Sequence, residues 1–298
     1  MANMTQARPI NSAEEPVKKK SQFIEVMKRL GDNKGAVFGG VLFLIILLLA
    51  IFAPIVARYD PSEYHLMDRT LGPCAQYWFG TDQMGRDIFS RVLYGARNSL
   101  LIGLGSVIFS AVFGVLIGSI AGYFGGGLDN LIMRLCDVIQ SIPGMILNIT
   151  LACVLGPGIW NTILALGVEG IAGTARLMRS SILNVRKMEY LDAASTSNCT
   201  NARIIVKHVF PNTFAPILVQ ATMGVGGRIM MAASMSYIGI GVRPPTAEWG
   251  AMLADSKDFI AAHPHMCLIP GICIMLVVLS LNLLGDGLRD ALDPKLRK

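Results

Sequence analysis

Residues 36–57 read AVFGGVLFLIILLLAIFAPIVA: twenty-two consecutive positions without a charge, most of them large aliphatic side chains. At 1.5 Å of rise per residue, this run is about the length that crosses the roughly 30 Å hydrocarbon core of a bilayer as an α-helix. In lipid a spanning segment must satisfy its own backbone polar groups, and a helix does so within itself. The stretch lies too far into the chain, and is too long, for the core of a signal peptide, and no small-residue cleavage site follows it. It reads as a retained span, with Gly35 and Gly39 spaced for close helix approach.

The pattern recurs along the chain. Further apolar runs lie near 99–123, 131–155, 159–180, 214–241 and 267–287, which makes six predicted spans. Gly114, Gly118 and Gly122 repeat every fourth residue on one face of the second, a spacing that lets helix backbones meet. Pro143 predicts a kink in the third, and Gly156-Pro157-Gly158 a tight turn after it. The whole composition agrees. Hydrophobic residues make up 53% of the 298 and charged ones 15%, against about 25% charged in an ordinary soluble domain.

Between the spans lie polar segments. Residues 1–20 form a polar tail ending in Lys18-Lys19-Lys20, and SQFIEVMKRL at 21–30 places Phe23, Ile24, Met27 and Leu30 on one helical face, as in a short surface helix. Residues 1–34 are taken as this tail and 35–298 as the membrane domain, with polar loops at 58–97, 181–212 and 242–265. Asp87–Tyr94 fits an interfacial helix leading into the second span. The side carrying both termini holds eighteen Lys and Arg, the other side seven. That excess places the termini in the cytoplasm and loops 58–97 and 242–265 outside.

The net charge of +6 is accounted for by those cytoplasmic loops facing anionic lipid. No basic stripe interleaved with aromatics points to nucleic acid. Six cysteines show no CxxC and no zinc spacing, and His263-Pro264-His265 stands without an HExxH, so no metal site and no disulfide framework is expected. An intramembrane enzyme would need a nucleophile with its base, or a ligand cluster, and neither GxSxG nor HExxH occurs.

Two ionisable residues lie near the middle of spans: Glu169 in the fourth and Arg228 in the fifth. A carboxylate at that depth costs roughly 2.5–3.5 kcal/mol on insertion scales, so it faces a cavity or has a partner. Arg228 is the candidate partner. The pair either lines a path for a charged substrate or ties two helices together. Outside, Gly80, Thr81, Asp82, Gly85, Arg86 and Asp87 combine turn formers with opposite charges, which fits an internal ion cluster holding the loop, or a docking surface. Asp286, Arg289, Asp290 and Asp293 leave the last span as a helix-end charge network.

Residues 186–212, RKMEYLDAASTSNCTNARIIVKHVFPN, are too polar to cross the bilayer. Tyr190, Ala193 and Ala194 share a small flat helical face flanked by Glu189 and Asp192. Ile204, Ile205 and Val209 form a second amphipathic turn beside Arg203 and Lys207, and Pro211 marks the entry to the next span. Such a helix either lies in a groove on a partner or is a solvated loop.

This stretch resembles the EAA loop of ATP-binding-cassette importer permeases. Asp192-Ala193-Ala194 matches its beginning and Val209-Phe210-Pro211 its end, while Asn198 replaces the usual glycine. Asn tolerates the left-handed conformation better than most non-glycine residues. Asn33-Lys34-Gly35-Ala36-Val37, FGTDQMGRDIFSRVLYGARNSL at 79–100, GYFGGGLD at 122–129, IGIGVRPPTAEWGAML at 238–253 and NLLGDGLRDALDP at 282–294 resemble the dipeptide/oligopeptide/nickel permease family, C-type subunit. The resemblance implies an all-α type I importer permease fold in the bacterial inner membrane. It implies a second homologous permease, two ATPase subunits that bind ATP and magnesium, and an external solute-binding protein. This chain has no GxxxxGK[S/T] phosphate loop, so hydrolysis falls to those partners and no cofactor is expected here. Glu189, Tyr190, Asp192, Ala193, Ala194, Asn198, Arg203 and Pro211 would then couple the permease to the ATPase. Peptides are the expected cargo. Nickel or another metal chelate, opines and glutathione are alternatives, and an ATP-independent channel or secondary transporter is the rival of a different class.

Overall fold

A computed structural model describes residues 22–186, 188, 203 and 209–292 of the chain. Among them the structure is helical, without a strand. α1 (Gln22–Asp32), α2 (Lys34–Ile51) and the short α3 (Ala53–Val56) come first. α4 (Ile88–Phe124), α5 (Gly126–Ser141), α6 (Gly144–Leu155) and α7 (Ile159–Val185) follow, then α8 (Phe210–Tyr237), α9 (Trp249–Ser256) and α10 (His265–Leu292).

α2, α4, the Thr213–Tyr237 part of α8, and α10 are each long and apolar enough to cross a membrane, and α5 with α6 forms a fifth crossing if the bent pair counts as one. Their outward faces carry Phe38, Ile45, Ile108, Leu131, Val138 and Leu268, all exposed. Large contiguous apolar surface is expected where lipid rather than water is the solvent. α1, expected as a surface helix, packs against α10, where Leu30 approaches Gly287.

The caps are written locally. The Asn33 side chain accepts hydrogen bonds from the Gly35 and Ala36 amides at 3.0 and 3.2 Å and starts α2. Asp87 caps α4 by accepting from the Ser90 amide at 2.8 Å. With 37 residues, α4 joins the expected interfacial segment and the second span into one helix.

The third predicted span differs more. A continuous kinked helix over 131–155 was expected, whereas α5 and α6 meet at 88°. Pro143 has no amide hydrogen to donate and disfavours helical backbone at the residue before it. Ile142 is accordingly extended (φ −87°, ψ 127°), and so is Pro143 (φ −53°, ψ 128°).

The bundle is built on α4 and α7. The glycine stripe of α4 makes the pairing possible. A Cβ on Gly114 would meet the Thr174 side chain at 2.6 Å, one on Gly118 the Ala175 carbonyl oxygen at 2.3 Å, and one on Gly122 the Arg179 Cα at 3.1 Å. α8 lies against α4, α7 and α10, and α2 closes on α10. There Gly39 fits over the Ser280 carbonyl, which a Cβ would approach to 2.7 Å. α7 carries Glu169, Arg176 and Arg179 and is flanked by α4, α5, α6 and α8. The Arg179 guanidinium forms a two-pronged pair with Asp129 of α5, one prong at 2.7 Å, and Arg176 reaches Asp137 at 2.6 Å.

Candidate functional site: a polar cleft at half-height

Glu169 lies ten residues beyond Ile159 at the start of α7, about 15 Å along the axis. Arg228 lies nine residues before Tyr237 at the end of α8, about 14 Å along its axis. Those two helix ends are adjacent, since the Gly158 amide donates to the Gly241 carbonyl at 3.3 Å. The two side chains therefore stand at one level, roughly half the thickness of the hydrocarbon core from that end. Arg228 Nη1 donates to Glu169 Oε2 in an ion pair. The glutamate side chain is 31% exposed and the arginine 17%, so the pair remains open to a cavity.

Two glycines allow this placement. A Cβ on Gly170 would stand 2.3 Å from Arg228 Nη2, and one on Gly144 would stand 3.1 Å from Glu169 Oε1. Gly144 opens α6, so the elbow after Pro143 places the backbone against the carboxylate.

The pair borders a cavity of about 210 Å³ between α4, α5, α7 and α8. Ser110, Gln140, Thr174 and Gln220 supply neutral polar groups to its lining, and Val107, Ile217 and Ala221 apolar ones. A second cavity of about 290 Å³ lies at the elbow, lined by Ile139, Gln140, Ile142, Gly144 and Glu169. Gln140 and Glu169 belong to both.

The motif residues of loop 58–97 converge on a separate, nearly dry cluster. Gly80 and Gly85 adopt left-handed backbone (φ 78° and 75°), open mainly to glycine. Asp82 Oδ1 accepts from the Met84 and Arg86 amides at 2.8 and 3.0 Å. Arg86 Nε donates to Asp82 Oδ2 at 2.6 Å and Arg86 Nη2 to Asp255 Oδ2 at 2.9 Å, which ties loop 58–97 to α9. Arg91, also buried, reaches the Pro61 carbonyl at 2.9 Å. The Thr81 hydroxyl accepts from the Leu71 amide at 2.9 Å and donates to the Asp68 carbonyl. These contacts hold the loop together and leave Arg86 and Asp87 almost without exposure.

Sequence reasoning did not single out Glu248. Fully buried, it accepts from the Gly250 and Ala251 amides, both at 2.9 Å, and from the Ser99 hydroxyl at 3.1 Å. It thereby caps α9 and joins it to α4. The signal available was an acidic residue directly before a short apolar run, as at a helix N-terminus.

Of the proposed coupling residues, Glu189, Tyr190, Asp192, Ala193, Ala194 and Asn198 lie outside the described residues, as do Ile204, Ile205 and Lys207. Arg203 is exposed, and Pro211 is exposed in the first turn of α8. Asp293 and the tail 1–20 also lie outside them.

Residues 114–298 match the family of binding-protein-dependent transport system inner membrane components, and residues 21–73 match the N-terminal TM domain of oligopeptide transport permease C. The dipeptide transport system permease protein DppC of Alkalihalophilus pseudofirmus is 43% identical over 93% of this chain and 91% of its own length. The di/tripeptide permease protein DppC of Pseudomonas aeruginosa is 41% identical over 92% of each chain. The glutathione transport system permease protein GsiD of Escherichia coli is 41% identical over 92% of this chain and 90% of its own. Among solved structures, an inward-facing form of the MetNI methionine ABC transporter matches with a TM-score of 0.56 at 16% identity, over 69% of this chain and 98% of that one. The likeness to that structure is one of fold, and with the sequence matches it means that this chain belongs to the inner membrane components of binding-protein-dependent transport systems.

Proposed function

We propose that this protein is one of two pore-forming subunits of an ATP-driven peptide importer. The observation that carries the reading is the polar cleft around Glu169 and Arg228 at half-height in a bundle of this transport family. A charged pair at that depth is expensive unless it serves a path or a partner. Peptides are favoured as cargo because relatives at 41–43% identity are named for dipeptides and di/tripeptides. Glutathione, for which another relative is named, is itself a modified tripeptide.

In this reading α7 is a sixth span, shielded from lipid by its neighbours, and both termini lie in the cytoplasm. Residues 1–34 are a cytoplasmic tail and 35–298 the permease domain. A second homologous permease completes the pore, an external binding protein delivers cargo, and two ATPase subunits bind ATP and magnesium. Segment 181–212 transmits their closure to the spans, through Asp192, Ala193 and Ala194 above all. The cluster at Asp82, Arg86 and Asp255 gives the external loops a fixed shape against which a binding protein can seat.

Reconstitution tests this directly. Liposomes holding this chain, the second permease and both ATPases, supplied with the binding protein, should accumulate a labelled dipeptide only with ATP. Accumulation that persists without the ATPases would instead establish a channel or secondary transporter. Replacing Ala193 and Ala194 by glutamate should abolish copurification with the ATPase and uptake together.

A further inference from the structure

Glu169 stands at the boundary between two cavities, while its partner Arg228 lines only the first. Gln140 and Glu169 are the residues common to both linings. Each cavity, at about 210 and 290 Å³, falls short of the roughly 300 Å³ at which small-molecule pockets begin. Opened to one another they would pass that size. What separates them includes the glutamate that Arg228 holds in place.

A pair of opposite charges in a partly solvated cleft resists opening from one side. Removing a single partner leaves the other charge uncompensated, at a cost that water in the cavity reduces but does not abolish. A ligand that brings both charges avoids it, because every ion it releases is re-paired. The free zwitterion of a short peptide has this composition. Its ammonium matches the Glu169 carboxylate, and its carboxylate fits the planar fork of a guanidinium, which binds carboxylates with two parallel hydrogen bonds. Gln140, Gln220, Ser110 and Thr174 offer donors and acceptors to the peptide groups between the termini.

We propose that Glu169 and Arg228 form a latch opened by exchange of partners with a peptide zwitterion, so that the membrane subunit itself selects for two free termini. The proposal rests on the importer reading and assigns a chemistry to its cleft. Each residue reads one end. Glu169 tests for an amine, Arg228 for a carboxylate, and a cargo lacking either leaves one of them unpaired.

Binding of dialanine, N-acetyl-dialanine and dialanine amide to the full transporter complex in nanodiscs, with the binding protein omitted, tests it. The wild type should prefer dialanine by roughly tenfold or more over both capped forms. Glu169→Gln should lose the discrimination against the acetylated peptide and keep that against the amide. Arg228→Gln should do the reverse, so that either variant alone suffices if the other fails to assemble. A purely structural ion pair would weaken all three ligands in proportion, or none, and either result overturns the latch. A wild type that does not discriminate overturns it as well. ATP-driven uptake by the same complex reconstituted into liposomes, with the binding protein supplied, separates the two readings. A complex that imports dialanine but shows no end-specific split loses the latch alone, and one that imports no peptide loses both.

Discussion

Gly118 on α4 sits so close to Ala175 on α7 that a Cβ at Gly118 would stand 2.3 Å from the Ala175 carbonyl oxygen. The obstacle is backbone, so no side-chain rotation relieves it. Gly118→Val should therefore separate the two central helices or strain both. Overpacking of this kind typically costs about 1–3 kcal/mol, and here the upper end is expected. Gly127→Ala is the control, since a Cβ there meets nothing within 4 Å. Thermal unfolding in detergent should show a lowered midpoint for the first variant and an unchanged or slightly raised one for the second. Equal midpoints would mean that the α4–α7 contact is looser than the structure has it.

Arg86 joins Asp82 of its own loop to Asp255 of α9, with Arg86 2% and Asp82 9% exposed in their side chains. Replacing one member of a buried pair leaves an uncompensated charge and costs about 3–5 kcal/mol. Asp82→Asn should approach that figure, because Asp82 also accepts from two backbone amides. Asp255→Asn should cost less, since its side chain is 19% exposed and water screens the loss. Proteolysis of loops 58–97 and 242–265, timed in both variants, should rank them in that order.

Tyr77 gives loop 58–97 a pH dependence. Its ring is 1% exposed and its hydroxyl donates to Asp68 Oδ2 at 2.9 Å. Burial first, and then that hydrogen bond, push its pKa up from 10.0 to about 12. The folded state thus holds a proton that the unfolded chain releases near pH 10. Stability from this source is complete below pH 10 and is lost as pH rises toward 12. An ultraviolet titration should show one tyrosine ionising near pH 12, and Tyr77→Phe should remove that step. If all tyrosines titrate together near 10, the phenol is not buried against Asp68.

Most of the span pattern was legible because lipid leaves the chain few alternatives, and the glycine stripe was legible because close approach needs small residues at fixed spacing. The elbow was not. Pro216 and Pro270 lie within continuous helices α8 and α10, so proline alone did not announce an 88° turn. At Pro143 the extended Ile142 and the packing of Gly144 against Glu169 decide the angle, and that contact is tertiary. Asp87–Tyr94 was expected as an interfacial helix leading into the second span, and α4 carries Arg91 and Asn98 where the two join. The structure satisfies them on remote carbonyls, of Pro61 and of Ala247, which local pattern does not reveal. Glu169 and Arg228 stood out as charges in apolar runs, but their shared level follows from the antiparallel course of α7 and α8.

Glu248 is where a local rule and a tertiary contact coincide. Its carboxylate caps α9 through two amides and accepts from Ser99 on α4, while the neighbouring Trp249 indole donates to the Val92 carbonyl at 3.1 Å. In Glu248→Ala three buried donors lose their acceptor, and each unsatisfied donor costs about 1–3 kcal/mol where water does not reach it. Glu248→Gln keeps one carbonyl oxygen and turns an amide nitrogen toward a donor, so its cost should be intermediate. Trp249 is 1% exposed and reports on the same joint. The alanine variant should therefore shift tryptophan emission to the red and lower the unfolding midpoint more than the glutamine variant does. An alanine variant with wild-type emission and stability would mean that α9 is held by its apolar face and not by its cap.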